Sequence, residues 1–279
     1  MRLLLLVCAL SAAPAFAGVS VRDDYGGEVV MPAAAQRIVS LSPHLTELLY
    51  AAGAGSRVVG AVEYSDYPAQ AKALPRVGAE AGIDLEAVLA LRPDLVVAWP
   101  NAGSLRVVNR LAELGLSVFR SEPRALEDIA RTLERLGVLA GTRGAAQAAA
   151  DAFRARRAEL EKRHSGRPKV RVFYQVWDRP LQTVNGDHVI SKVIELCGGE
   201  NVFAGLPLIA PEVDREALLR ANPDVIITSG PAASLPPGLS AWKERVQSVP
   251  AELIQRHTPR ILEGAARLCS VLEAARTAR

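Results

Sequence analysis

The chain has 279 residues, 33 Lys and Arg against 30 Asp and Glu, a formal net charge of +3, and 49% hydrophobic residues of which few are aromatic. Its basic residues are dispersed, with no arginine-lysine block interleaved with aromatics, which argues against nucleic acid as a partner. Beyond the amino terminus no apolar stretch approaches membrane-spanning length, and the size suits two lobes of ordinary dimensions.

Residues 1–17 read as a signal peptide. Arg2 supplies the positive start, Leu3 to Leu10 the apolar core, and Ala15-Phe16-Ala17 a small-x-small cleavage site. Cys8 lies inside the apolar run and makes a poor lipid-attachment site, so a soluble chain exported to the periplasm is expected from Gly18 onward. Cys197 and Cys269 then remain, in a compartment that permits a disulfide; two separate buried thiols are the alternative. A bond would close a loop of roughly 70 residues, worth about 4 kcal/mol in the chain-entropy model.

The first lobe is expected over 18–124. Arg37 to Leu41 reads as a strand ending at Ser42-Pro43, a helix start with proline at its first position. His44 to Ala52 is the helix, stopped by Gly53. Val58 to Val62 is the next strand, leading into Tyr64-Ser65-Asp66-Tyr67-Pro68. A helix over 84–91, a strand over 95–98, a helix over 105–114 and a strand over 117–119 complete a doubly wound α/β pattern. Linking helices fill 125–166, from Glu127 to Leu139 and from Ala145 to about His164, separated by a break at Gly141–Gly144. The second is rich in strong helix formers, so a stiff connection and small lobe movements are expected. The second lobe, 167–279, offers a strand over 170–176, a helix over 189–197, a helix near Ala241, a strand near 246–249 and a final helix from about Pro259 to Arg276.

One phrase is written twice. Asp84 to Val97 returns as Asp214 to Ile227, 130 residues later, with six identical positions and most others exchanging one aliphatic for another. Each copy reads as an N-cap aspartate, a short helix, a stop at proline and a buried parallel strand. A duplicated α/β unit implies two similar lobes, and two lobes imply a cleft.

In open parallel sheets ligands bind beyond the carboxyl ends of the strands. Tyr64, Tyr67, Trp99 and Trp177 stand there, flat faces suited to a large, partly apolar, planar ligand; packing of loops onto the sheet is the plainer explanation of any one of them. His44 reads first as a solvated histidine at a helix start, with contact to a ligand or its metal as the alternative. His188 and His257 match no local metal-ligand spacing. Nucleophile elbows, paired zinc histidines, Cys-x-x-Cys and phosphate loops are missing. Glu86 and Glu216 sit at equivalent places in the two repeats, where the helix dipole favours a carboxylate. Two matched acidic points also suit docking onto a two-fold-symmetric basic partner.

Arg37 to Pro43 with Thr46-Glu47-Leu48, Tyr64 to Pro68, Pro93 to Trp99, Cys197 to Asn201 and Arg256 to Ile261 together resemble the periplasmic cobalamin-binding proteins of ABC importers, within the helical-backbone class of binding proteins. The resemblance implies two Rossmann-like lobes with parallel sheets, joined by a rigid backbone helix, and a corrinoid held between them. It implies ligand contacts at Pro43, Tyr64 and Trp99 in the first lobe. Trp177, Glu252 and Arg256 are the contacts expected in the second. It also implies that Glu86 and Glu216 engage arginines of a permease dimer with its ATPase, and that Cys197 and Cys269 are bonded. Glu80 and Ala210 stand about where one well-known member carries tryptophan, Glu252-Leu253-Ile254 replaces its Asp-Trp-Phe, and the segment between Trp242 and Pro250 is several residues short. Trp177 is the candidate to replace a lost aromatic. No catalytic group, cofactor or resident metal is expected, and a monomer is. The rivals are a ferric-siderophore or haem receptor of the same class, an enzyme on a two-lobed scaffold, and an interaction protein that binds no small molecule.

Overall fold

The two copies of the repeated phrase fold into the same corner, one in each half of the computed structural model, which describes residues 18–229 and 240–278. Asp84 caps the helix Leu85–Ala90 by accepting from the Ala87 amide at 3.0 Å, and Asp214 caps Arg215–Ala221 through the Ala217 amide at 2.6 Å. Arg92 (φ 46°) and Asn222 (φ 39°) turn left-handed at equivalent places, ending each helix before a proline that cannot continue it. The aspartate after that proline clamps the neighbouring strand. Asp94 accepts from the amides of Gln36 and Arg37 at 2.7 and 3.0 Å, and Asp224 from that of Arg171 at 2.7 Å. Arg37 and Arg171 reciprocate, each donating at 2.7 Å to a carbonyl at the helix end, Leu91 and Ala221 respectively.

Each corner belongs to a four-stranded parallel sheet. The first lobe runs Val58–Ala61, Ile38–Ser40, Leu95–Ala98, Ser117–Arg120, and the second Gly199–Asn201, Val170–Gln175, Val225–Thr228, Val246–Ser248. The repeat strand is third in both orders and buried along its length, as a parallel strand covered on both faces must be. Val88 and Leu218, at matching positions of the repeat helices, are fully buried against the outer faces of the two sheets. Burial of each such side chain is worth about 1.5–3 kcal/mol.

The inner faces share one core that runs from lobe to lobe through the linking helices Leu126–Leu139 and Arg143–His164. Leu126, Ile129, Leu133 and Leu136 recur at helical spacing and are buried. Gly137 lets the second helix approach closely, since a Cβ there would collide with that of Ala146. Arg154 pairs with Glu127 and Glu134 at 2.7 and 2.6 Å, and Arg157 with Glu127 at 2.9 Å. Partly exposed pairs add little singly, but this network ties the two rods side by side. The second rod, 22 residues and roughly 33 Å long, starts two residues earlier than the glycine break predicts, with Gly144 inside it.

The disulfide between Cys197 and Cys269 joins the end of helix Val189–Leu196 to the C-terminal helix Ile261–Thr277, so the two cysteines are not separate thiols. Among the described residues no helix is long and apolar enough to cross a membrane. The signal-peptide reading, Cys8 included, lies outside the described residues. An antiparallel hairpin, Val19–Arg22 with Glu28–Met31, and the edge strand Gly199–Asn201 have no counterpart in the sequence reading.

Candidate ligand-binding cleft

Strands of both sheets end facing one another, and the loops that follow them build a cavity of about 440 Å³ between the lobes. From the first lobe come Ser42, Pro43 and His44 after strand Ile38–Ser40, Trp99 after Leu95–Ala98, and Glu122–Arg124 after Ser117–Arg120. The second lobe contributes Val176 after Val170–Gln175, the start of helix Val189–Leu196 with His188, and Gln255–His257. A space of this size holds a drug-sized molecule or one face of a larger ring.

Three of the residues expected to touch ligand meet on this wall: Pro43, Trp99 and Arg256. Three do not. Tyr64 stands 75% exposed on a left-handed residue (φ 62°), and Trp177 stands 61% exposed on a two-residue hairpin. Glu252 is exposed in the first turn of the short helix Ala251–Ile254. Glu86 and Glu216 are exposed on the outer repeat helices, and neither makes an ion pair among the described residues.

The histidines are what local motifs missed. His44 is buried instead of solvated, because the segment Gln255–His257 of the second lobe lies over it. Its ring stands edge-on to Trp99 at 5.7 Å between centroids and lies 6.1 Å from His257, which is 5.4 Å from His188. Burial, with Arg256 nearby, pushes His44 down to about 3, and burial takes His188 down to about 4. Burial and the other two rings hold His257 well below the ordinary range. All three are therefore neutral at neutral pH. Among the described residues no group of histidines, cysteines and carboxylates is arranged to hold a free metal ion.

Charge on the wall is balanced. Arg124 pairs with Glu122 at 3.5 Å. Arg256 crosses to the first lobe, where it meets Glu47 at 2.8 Å, Asp66 at 2.7 Å and the Tyr64 carbonyl at 3.1 Å. Arg260 adds a second contact to Glu47 at 3.5 Å and stacks over the Tyr67 ring at 4.0 Å. Both arginines of the cavity are thus already matched by carboxylates.

A model of the periplasmic binding protein family matches residues 38–259. The chain belongs to that family. It is similar to the vitamin B12-binding proteins of Vibrio cholerae, 36% identical over 88% of this chain and 91% of that one, and of Yersinia pestis, 38% identical over 86% and 88%. The crystal structure of the periplasmic vitamin B12-binding protein BtuF of Vibrio cholerae superimposes with a TM-score of 0.80 at 36% identity, over 87% of this chain and 98% of that one. Haem-binding periplasmic proteins share the fold at 20–24% identity, which shows the architecture alone. The protein is accordingly a two-lobed substrate-binding protein of the helical-backbone class and not an enzyme, from a periplasmic family whose members take a ligand and an ABC transporter as partners.

Proposed function

We propose that this protein captures cobalamin or a related corrinoid in the interlobe cleft and delivers it to an ABC permease. One observation carries the choice of ligand: the cavity offers aromatic, imidazole and aliphatic surface, and each of its arginines is paired with a carboxylate. A ferric siderophore or a haem with its propionates brings net negative charge and would need converging cations not already neutralised. A corrinoid, rimmed by neutral amides, needs apolar contact and hydrogen bonds instead. The names of the relatives near 36–38% identity point the same way. Pro43, Trp99 and Arg256 form the contact surface in this reading, with Tyr64 and Trp177 at the mouth. Glu86 and Glu216 dock on the permease dimer, whose ATPase drives release, and the receptor works as a monomer after cleavage of its signal peptide near Gly18. Equilibrium dialysis of the purified protein against cyanocobalamin, haem and a ferric hydroxamate, side by side, tests the selectivity. Retention of the corrinoid alone is the expected result, and retention of either iron compound in its place would overturn the reading.

A further inference from the structure

The hydrogen bonds around His44 fix where its proton sits. The Ser42 hydroxyl lies 2.5 Å from Glu80 Oε1 and 2.7 Å from His44 Nδ1. A carboxylate only accepts, so the single Ser42 proton goes to Glu80. Ser42 Oγ must then accept from His44, which places the imidazole proton on Nδ1. Nε2 is left as a bare lone pair. That nitrogen is buried and finds no hydrogen-bond partner, an arrangement that folded proteins rarely leave without a use.

His188 is set the opposite way. Its Nδ1 accepts from the Ile190 amide at 3.1 Å, so its proton is on Nε2. Among the cleft histidines with a hydrogen-bonded ring nitrogen, His44 alone therefore offers an unprotonated nitrogen to whatever enters. The carboxylate-to-hydroxyl-to-imidazole chain behind it is the kind of outer support that orients a metal-bound histidine and raises its basicity. It reaches that end without a local metal motif, because the metal is to arrive with the cargo.

We infer that His44 Nε2 is an axial ligand to the metal at the centre of a planar macrocycle bound in the cleft. The inference rests on the corrinoid reading above. The lone pair of Nε2 forms the bond to cobalt, and a water, or the cargo's own appended base, leaves the axial position. No proton moves, since Nε2 carries none, and no electron is transferred. With the lobes as they stand, the His44 ring packs against the rings of Trp99 and His257, and Nε2 is buried. The metal reaches it by displacing the His257 ring, which contacts the rings of His44 and His188. Corrinoids that lack the appended base, the cobinamides, are then the preferred cargo, because their axial position is open.

The test is electron paramagnetic resonance of the purified protein loaded with cob(II)inamide, once with ordinary and once with heavy-nitrogen histidine. Ligation by histidine splits each cobalt line into three with ordinary nitrogen and into two with the heavy isotope. The labelled wild-type protein gives this answer without any substitution. His44→Ala is expected to lose the splitting and to bind cob(II)inamide at least about ten-fold more weakly, while His257→Ala keeps the splitting. A bound corrinoid without nitrogen splitting, or splitting that survives His44→Ala, overturns the inference and leaves the corrinoid reading standing. Failure to bind either a corrinoid or haem overturns both. A parallel arm with haem separates the two macrocycles: a histidine-ligated iron spectrum lost in His44→Ala, with no corrinoid bound, would keep the ligand residue and replace the cargo.

Discussion

Glu47 of the first lobe and Arg256 of the second lie 2.8 Å apart across the lobe boundary, and the carboxylate side chain is only 2% exposed. Burial pushes the Glu47 carboxyl up, and Arg256 and Arg260 oppose it. The pair ties the first lobe to the second beside the cleft. Removing one partner of a buried pair is costly because the other charge stays behind. Arg256→Ala, which leaves Glu47 with Arg260 at 3.5 Å, is expected to lose about 3 kcal/mol, and Glu47→Gln less. Urea midpoints of the two variants measure the difference, and equal losses would show that the stranded carboxylate is not the cause.

Acid should weaken the fold through the cleft histidines. His44 titrates at about 3 and His188 at about 4 when folded, against 6.5 in the unfolded chain. Between those values and 6.5 the unfolded state binds more protons, so stability rises with pH through that window and is lost on acidification. Each group contributes up to about 1.4 kcal/mol per pH unit. His44→Leu is expected to flatten the curve between pH 4 and 6.5, as measured by denaturant titration at several pH values. An unchanged slope would mean that other groups carry it.

In the proposed function the exposed carboxylates on the repeat helices serve delivery and not binding. Glu86→Ala combined with Glu216→Ala is expected to leave corrinoid affinity unchanged and to abolish uptake in cells that depend on this receptor. Leu89 and Leu219, 37% and 39% exposed one helical turn further on, belong to the same outward faces. Equal loss of affinity and uptake would defeat the docking assignment.

The disulfide spans 72 residues and ties the second lobe to its last helix. Replacing Cys197 and Cys269 together by alanine is expected to cost about 4 kcal/mol in the chain-entropy model. Thermal unfolding with and without reductant checks this, and insensitivity of the wild type to reductant would count against it.

Much of the architecture was legible because it is written as periodicity. The repeat, the strands Leu95–Ala98 and Val225–Thr228 and the linking helices all follow from apolar spacing, N-cap aspartates and stopping prolines. Gly199–Asn201 escaped because three residues, two of them polar, carry no alternation. The cleft was only half legible. Position after a parallel strand correctly brought Pro43 and Trp99 to the wall, since sheet geometry dictates where such residues emerge. It says nothing of side-chain direction within a loop, and Tyr64, on a left-handed residue, and Trp177, on a hairpin, stand outward. His44, His188 and His257 meet from segments more than 60 residues apart, a convergence that no local spacing can express.

Calorimetric titration of the purified protein and of its Trp99→Ala variant with cyanocobalamin tests the central claim most directly. The account predicts one-to-one saturation by the wild type and an affinity at least about ten-fold weaker without the indole, the scale of a lost aromatic anchor. Equal affinities would move the ligand out of the cleft, and no heat of binding from either protein would contradict the claim that a corrinoid is the cargo.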